Sequence, residues 1–155
     1  MKKMLVATFS TALFFLLQEP AMAKPLYMFS AVKGTVLLNG KPVAGAAIEQ
    51  SYIWLWDQKK RTFSTTTDQQ GHFSLEARVE KSFFATVIPT GQKINQTITI
   101  RHNGKEYDGW LHDKDNYDND SESTNGPFKL VCELSDAPGA HPESKSYGVC
   151  VLTKD

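Results

Sequence analysis

Apolar and polar residues alternate with a period of two along most of this chain, and this pattern constrains the fold more than any other feature. The i, i+3, i+4 spacing of an amphipathic helix is hard to find in the sequence. The alternating segments are separated by Gly, Pro, Asn and Asp, which are the residues that tight turns require. The sequence therefore predicts an all-β chain that forms a single antiparallel β-sandwich of about 7–9 strands.

The turn residues locate the predicted strands. Asn39-Gly40 and Asn103-Gly104 are strong hairpin signals, because both residues tolerate a positive φ. The segment over residues 83–88 is apolar on both faces and is predicted to be a central strand. The predicted strands cover residues 31–38, 46–56, 62–67, 72–77, 83–88, 94–102, 128–134 and 147–152.

Three aromatic residues alternate in the second predicted strand: Tyr52, Trp54 and Trp56. We interpret them as one side of the sandwich core, since large aromatic side chains on one face of a strand usually contribute to a core. An exposed platform for a sugar or a partner protein is the alternative.

The N-terminus has the three-part pattern of a secretory signal peptide. Lys2 and Lys3 precede an apolar run over residues 4–17, and the small residues Ala21 to Ala23 follow. The apolar run is too short to cross a bilayer core of roughly 30 Å as a permanent helix. We expect residues 1–23 to be removed and residues 24–155 to form one domain without a membrane span, in the periplasm of a bacterium or secreted beyond it.

The balance of charge argues against a nucleic-acid partner. The chain has 17 basic and 17 acidic residues, and without Lys2, Lys3 and Glu19 the counts are 15 and 16. Neither a basic excess nor a basic stripe is available to neutralise phosphates.

Two cysteines, Cys132 and Cys150, predict one disulfide bond, because an even number of cysteines in an exported chain is usually paired. Two free buried thiols are the alternative. A zinc site is not expected, since the close-spaced cysteine pairs of such sites are missing.

Residues 113–127 interrupt the alternation and are predicted to be an acidic, irregular loop. Five carboxylates and one lysine lie between Asp113 and Glu122. Long irregular loops in compact domains are often functional, so we predict a partner-binding surface here, with Trp110 as its aromatic anchor. The predicted surface comprises Trp110, His112, Asp113, Asp115, Tyr117, Asp118 and Asp120.

A calcium site in this loop is a weaker hypothesis. An EF-hand is excluded, because neither Asp113 nor Asp118 as a first ligand places Gly at position 6 and Glu at position 12. Irregular binding of calcium by the four aspartates Asp113, Asp115, Asp118 and Asp120 stays open. No metal or other cofactor is otherwise expected.

Two motifs resemble those of the carboxypeptidase regulatory-like domains, which are small β-sandwiches of transthyretin-like (prealbumin-like) topology. The resemblance extends over about residues 31–100. The matching residues are Gly34, Val36, Asn39, Gly40, Pro42, Val43, Gly45 and Ala46 in the first motif, and Thr67, Asp68, Gly71 and Phe73 in the second. It implies a transthyretin-like sandwich and a non-catalytic module, although a fold alone does not establish a function.

The sequence contains no signature of catalysis that we can identify. A G-x-S-x-G elbow and a Gly-rich phosphate loop are missing, and the four histidines lack metal-ligand spacing. The chain ends in VCVLTKD, whereas the hydroxyisourate hydrolases, which resemble transthyretin, end in Tyr-Arg-Gly-Ser. We therefore expect a binding module that recognises a protein, in a specific version an immunity-type inhibitor of a basic effector enzyme in the periplasm. A module for carbohydrate or cell-envelope material is the alternative, and an enzyme of unknown type is a minor one.

Overall fold

The fold is described by a computed structural model that covers residues 24–82, 85, 87, 93–124 and 126–153. The predicted signal peptide, residues 1–23, lies outside the described residues. The strands are β1 (Pro25–Phe29), β2 (Val32–Leu38), β3 (Lys41–Pro42), β4 (Ala47–Trp54), β5 (Lys60–Thr66), β6 (His72–Leu75), β7 (Arg78–Lys81), β8 (Ile94–His102), β9 (Lys105–Lys114), β10 (Lys129–Glu133), β11 (Gly139–His141), β12 (Ser146–Gly148) and β13 (Cys150–Leu152).

Two larger sheets share one hydrophobic core, as predicted for an all-β sandwich. The six-stranded sheet has the order β11-β12-β9-β8-β4-β5. The five-stranded sheet has the order β13-β10-β2-β3, and β6 also pairs with β2. A small third sheet, β1-β7, contributes Leu26 and Met28 to the core.

The described residues form more strands than the predicted 7–9, because β1, β7 and β9 lie outside the predicted strand segments and for two further reasons. Short strands such as β3 and β11 pair at the edges of the sheets, where the alternation is too brief to be recognised in the sequence. The last predicted strand, residues 147–152, is divided between the two larger sheets. In addition, β10 and β2 run parallel, so the five-stranded sheet is mixed rather than purely antiparallel.

The predicted central strand over residues 83–88 lies mostly outside the described residues. The two residues of it that the structure describes, Ala85 and Val87, are helical. A short apolar run does not distinguish a strand from a buried helical segment, and here the prediction of a strand is wrong at both described positions.

Side-chain hydrogen bonds of Thr67 and Asp68 organise the turn between β5 and β6. The hydroxyl of Thr67 is buried, donates to the carbonyl of Val43 at 2.6 Å and accepts from the backbone N–H of Ala46 at 2.9 Å. Asp68 accepts from the N–H groups of Gln70 and His72 at 2.9 and 2.8 Å. The bonds of Thr67 attach the β5–β6 turn to the loop before β4, and the bonds of Asp68 lie within the turn itself.

Gly71 completes this turn in the left-handed conformation, with φ of 75°. Its carbonyl accepts from the N–H of Val36 at 2.8 Å. A Cβ at this position would lie 2.5 Å from the carbonyl oxygen of Val36. Glycine at position 71 therefore has a physical explanation in the conformation and the close packing of this turn.

Both Asn-Gly hairpins are confirmed. Asn39 and Gly40 have φ of 52° and 72°, and Asn103 and Gly104 have φ of 50° and 73°. These values belong to the turn type whose twist suits a two-residue hairpin. Glu133 in β10 also accepts from the N–H groups of Asn39 and Gly40, at 2.8 Å each, and so links the first hairpin to the neighbouring strand.

The predicted pairing of Cys132 with Cys150 is confirmed. The two residues face each other across the antiparallel pair β10–β13, and their sulfur atoms are at bonding distance. The chain passes from the six-stranded sheet to the five-stranded sheet at Val149, whose N–H donates to the carbonyl of Asp108 at 2.9 Å. The disulfide thus holds the last strand in the five-stranded sheet.

No helix among the residues that the structure describes has the length and apolar character needed to cross a membrane.

Candidate functional site

The predicted acidic loop begins two residues later than its sequence indicates. Asp113 and Lys114 belong to β9, which continues the six-stranded sheet. Lys114 pairs with Ile94 of β8, and Ile94 pairs with Trp54 of β4. Both β4 and β9 run antiparallel to β8, so they run in the same direction and end in the same row. The residues that follow Trp54 and Lys114 therefore leave the sheet at the same end.

A buried ion pair lies beneath residues 115–122, which we call the acidic segment. The Nζ atom of Lys114 is 3.1 Å from Oε2 of Glu122, and the two side chains are 1% and 0% exposed. Glu122 also accepts from the N–H and the hydroxyl of Ser30, at 3.0 and 2.6 Å, and from Nε2 of Gln96 at 2.7 Å. A buried charge is tolerated when it is paired and hydrogen-bonded in this way.

The surroundings shift the pKa values of both partners. Burial by itself raises the pKa of Glu122, but the Lys114 ammonium and the hydrogen bonds from Ser30 and Gln96 outweigh burial and hold this pKa below its usual value. Burial lowers the pKa of Lys114, and the nearby carboxylate only partly offsets that effect. A pKa below its usual value keeps the Glu122 carboxylate ionised at neutral pH.

Three further hydrogen bonds hold the segment on the sandwich. Nε1 of Trp54 donates to the hydroxyl of Tyr117 at 3.1 Å. Lys114 donates to the carbonyl of Asp118 at 2.6 Å, and the N–H of Asp120 donates to the hydroxyl of Ser30 at 2.8 Å. Residues 115–122 are thus fixed against the core, in contrast to a solvated connection.

The prediction that Trp110 is an exposed anchor is wrong. Its side chain is 0% exposed and packs on Phe128, with the ring centroids 5.3 Å apart. Trp110 lies opposite Ile98 on the inner face of β9, and this face belongs to the core. Sequence reasoning failed here because it ended the sheet too early and placed Trp110 at the start of a loop.

Two other residues of the predicted surface also have internal contacts. Tyr117 is buried against Trp54, with ring centroids 6.1 Å apart, so it cannot be a partner-binding residue in this conformation. His112 is half-buried, and its Nδ1 lies 3.1 Å from the carbonyl oxygen of Lys145. The Tyr117 side chain thus connects the segment to the core, and His112 connects β9 to the turn between β11 and β12.

The aspartates of the predicted surface remain near solvent. Asp113, Asp115 and Asp118 are exposed, and Asp120 is half-buried. The carboxylate of Asp113 accepts from Asn95, and that of Asp118 is 3.6 Å from Nζ of Lys24. The structure therefore brings three exposed carboxylates of the prediction to one end of the six-stranded sheet.

Two exposed apolar residues, Leu55 and Trp56, lie at the same end. Leu55 is 41% exposed and Trp56 is 45% exposed, whereas Tyr52 and Trp54 are buried in the core as predicted. Leu55 follows the last residue of β4, and its N–H donates to the carbonyl of Lys93 just before β8. We call the surface formed by Leu55, Trp56, Asp113, Asp115 and Asp118 the acidic end.

The sequence did contain a signal for Trp56, namely its large aromatic side chain. The alternation with Tyr52 and Trp54 led to its interpretation as a core residue. Trp56 follows the alternation of Tyr52 and Trp54, but it lies beyond the end of β4 at Trp54. Glu122, Ser30 and Gln96 had no such signal, because the contacts among them join residues that are 26 to 92 positions apart.

The calcium hypothesis gains no support from the geometry. Among the residues that the structure describes, no three His, Cys, Asp or Glu side chains are grouped so that they could hold a metal ion. Asp113 and Asp118 interact instead with Asn95 and Lys24.

Comparison with known proteins yields a family but no activity. No curated protein and no solved structure matches the chain. A family model described as a domain of unknown function, DUF6795, matches residues 32–137, which extend from β2 to the turn after β10 and include the acidic segment. This match spans more than half of the chain, and we conclude that the protein belongs to the DUF6795 family.

Proposed function

We propose that this protein is a non-catalytic, exported binding module that recognises a protein partner with its acidic end. One observation carries the proposal: two exposed apolar side chains, Leu55 and Trp56, lie at the same end of the sheet as three exposed carboxylates. Protein interfaces commonly combine an aromatic anchor with a charged rim. The aromatic role that the sequence suggested for Trp110 passes to Trp56.

The contacts that hold the acidic segment on the sandwich support this role. The buried carboxylate of Glu122 and the hydroxyl of Tyr117 hold the backbone on both sides of Asp118. A pre-ordered surface loses less conformational entropy on binding than a mobile loop does. The charges of Asp115 and Asp118 are thus presented in a defined geometry.

The charge of the surface suggests the nature of the partner. Carboxylates at the rim of an interface steer a basic protein toward it and raise the association rate. In its specific form, the proposal is that the partner is a basic effector enzyme that is active in the periplasm, and that this protein is its immunity inhibitor. The predicted signal peptide and the paired cysteines are compatible with an oxidising compartment outside the cytoplasm.

The transthyretin-like assignment remains part of the proposal. The resemblance to the carboxypeptidase regulatory-like domains supports a binding role, because those domains accompany catalytic and surface proteins as non-catalytic modules. The hydrogen bonds of Thr67, Asp68 and Gly71 support a role for the shared motif in the frame alone.

The test has two steps. The tagged protein is first used to capture its partner from a periplasmic extract, and mass spectrometry identifies the partner. Association and dissociation rates are then measured for wild type, for Trp56→Ala and for Asp115→Asn/Asp118→Asn. Val151→Ala is the control for an exposed apolar side chain, because Val151 is 40% exposed on β13 of the five-stranded sheet. Glu106→Gln/Asp136→Asn is the matched charge control, since both residues are exposed and Glu106 lies at the opposite end of β9.

We expect Trp56→Ala to weaken binding by roughly 2 kcal/mol or more through a faster dissociation. The double Asn variant should slow association at low salt, and its difference from wild type should shrink as salt rises. Thermal stability should be nearly unchanged in both variants, because the replaced groups are at the surface. Equal binding by wild type and both variants would show that the partner docks elsewhere.

The proposal that the protein is an immunity inhibitor makes two separate predictions. A captured enzyme should lose its activity when the protein is added in an equimolar amount, and the gene for that enzyme should lie beside the gene for this protein. If the partner is a protein of another kind, the binding module stands and the immunity form is wrong.

A further inference from the structure

Strand β5 is a long edge strand of the six-stranded sheet. It has seven residues, and among the strands that the structure describes only β4 pairs with it. The described edge strands β3, β6, β11 and β13 of the two larger sheets have two to four residues each. A long edge strand presents a row of backbone N–H and C=O groups with which another strand can pair.

The features that usually protect an edge are missing from most of β5. The strand contains no proline, and its register with β4 continues without a bulge. Its two charged residues, Lys60 and Arg61, stand at its beginning, and Arg61 is paired with Asp57 and Glu80 at 2.6 and 3.1 Å. The other five residues, TFSTT, are mainly threonine and phenylalanine, which favour a strand. This part of the edge is therefore open to pairing.

The hydrogen bonds of Thr67 show which backbone groups of β5 reach the free side. Its N–H donates to the carbonyl of Ala46, and its carbonyl accepts from the N–H of Gly45, both at 3.0 Å. Both groups of Thr67 thus point toward the chain of β4, and this direction alternates along an antiparallel pair. The residues that direct N–H and C=O to the free side are therefore Lys60, Thr62, Ser64 and Thr66.

The placement of charge suits antiparallel pairing of β5 with β5 of a second copy. If Phe63 lies opposite Phe63 of the second copy, all seven residues pair and Lys60 lies opposite Thr66. Asp68 follows Thr66 by two residues, and its side chain is 53% exposed. A long side chain reaches such a diagonal neighbour on the next strand, so Lys60 of each copy can meet Asp68 of the other. Parallel pairing would instead place the two Lys60 side chains together.

The residue at the centre of this pairing also suits it. A two-fold axis perpendicular to the sheet places the same patch of both copies in contact, and Phe63 lies at that axis. Its ring is half-buried, with the guanidinium carbon of Arg78 3.7 Å from the ring centroid. Aromatic residues directly opposite each other on neighbouring strands stabilise the pair.

We propose that two copies of this protein associate through β5, in antiparallel register about Phe63, and so join their six-stranded sheets into one continuous sheet. This contact does not depend on the proposed protein partner, because no residue of the acidic end takes part in it. The two-fold axis reverses the direction of the strands, so the dimer presents its two acidic ends in opposite directions. One dimer can then hold two partner molecules.

The experiment measures self-association of the full mature protein by sedimentation over a range of concentrations. Ser64→Pro removes an N–H on the free side, where an edge strand tolerates proline, and Ser64→Ala is the matched control that keeps this N–H. Lys60→Glu tests the charge contact, and Lys41→Glu is its control, since Lys41 is an exposed lysine of the other sheet. Trp56→Ala separates this contact from the acidic end.

We expect wild type and the variants Ser64→Ala, Lys41→Glu and Trp56→Ala to dimerise with the same Kd. Ser64→Pro should raise the Kd roughly tenfold or more, because the two-fold axis repeats each lost bond. Lys60→Glu should also weaken the dimer, and its difference from wild type should shrink as salt rises.

Amide exchange tests the same edge in wild type, without any substitution. In the dimer the N–H groups of Thr62 and Thr66 should exchange slowly, and in Ser64→Pro they should exchange fast. The N–H groups of Phe63 and Thr65 should exchange slowly in both proteins, because they bond to β4, and this result also shows that Ser64→Pro is folded.

Three results would overturn the proposal. The first is a wild type that stays monomeric at millimolar concentration. The second is a dimer that Ser64→Pro leaves as tight as wild type, and the third is a dimer that Trp56→Ala abolishes, since the contact would then lie at the acidic end. None of these results bears on binding of the protein partner, which is measured separately.

Discussion

Two carboxylates organise backbone in this protein, Asp68 in the β5–β6 turn and Glu122 in the acidic segment. Asp68 binds N–H groups two and four residues further along the chain, and about half of its side chain is exposed. Glu122 binds Ser30, which is 92 residues away, and its side chain is fully buried. The first contact is between near neighbours in the chain and is open to solvent. The second joins residues far apart in the chain and is buried.

The difference teaches where stability and order come from. Water competes for the donors that Asp68 satisfies, so each of those bonds contributes little net free energy. No water replaces the partners of Glu122, so the loss of one partner leaves a buried charge or donor without compensation. Four variants test this contrast, from the largest expected effect to the smallest.

Replacing Glu122 should have the largest effect. We expect Glu122→Gln to lower the free energy of unfolding by roughly 3–5 kcal/mol, because it leaves the Lys114 ammonium buried without its counter-charge. Chemical denaturation at pH 7 measures the change. The double variant Lys114→Met/Glu122→Gln should be less destabilised than the sum of the single variants, as coupled partners are. A loss under about 1 kcal/mol in Glu122→Gln would contradict the role of the pair.

The same residue predicts a dependence of stability on pH. The pKa of Glu122 is lower in the folded protein than its ordinary value of 4.5, chiefly because Lys114 and the bonds from Ser30 and Gln96 outweigh burial. Below pH 4.5 the unfolded chain therefore binds a proton at this position more readily than the folded chain does, and stability falls as the pH falls toward the folded pKa. We expect a shallower slope in Glu122→Gln. Identical slopes for the two proteins between pH 5 and pH 3 would be the contrary result.

The disulfide is a covalent form of long-range constraint, and its removal should have the next largest effect. Cys132 and Cys150 are 18 residues apart. We expect Cys132→Ser/Cys150→Ser to lose roughly 3 kcal/mol of stability, because the bond restricts the unfolded chain. Wild type unfolded under reducing conditions should match the variant. Two titratable thiols in the oxidised wild type would disprove the pairing.

Thr67→Val tests the buried contact between the β5–β6 turn and the loop before β4. The variant keeps the shape of the side chain but removes both bonds of the hydroxyl, to Val43 and from Ala46. We expect a loss of about 2 kcal/mol, since a buried donor and a buried acceptor are left without partners. Thr66→Val is the matched control, because Thr66 is exposed, and it should be close to neutral in the same denaturation assay.

Asp68→Ala should have the smallest effect of the four. The freed N–H groups of Gln70 and His72 belong to exposed residues and can bind water, so we expect a loss of about 1 kcal/mol. Thermal denaturation is sufficient to detect it. If Asp68→Ala costs as much as Glu122→Gln, the contrast between local and distant carboxylates is wrong.

The site was only partly predictable from the sequence. The aspartates at 113, 115 and 118 were recognised, because residue type alone identifies a charged side chain and charged side chains are usually exposed. Trp110 was misplaced, because the end of β9 depends on its pairing with β8 and not on its own residues. Trp56 entered the sequence analysis only within an alternative exposed platform with Tyr52 and Trp54, and the end of β4 at Trp54 separated it from those two core residues.

The sequence by itself determined what depends on near neighbours: most of the strands, the two Asn-Gly hairpins and the Asp68–Gly71 turn. These features follow from backbone preferences and from hydrogen bonds within a few residues. Only the tertiary structure decided which polar groups are buried, that Lys114 and Glu122 form one pair and that Trp110 lies in the core. The physical reason is that burial and strand register join residues far apart in the chain, and no local preference of either partner encodes that contact.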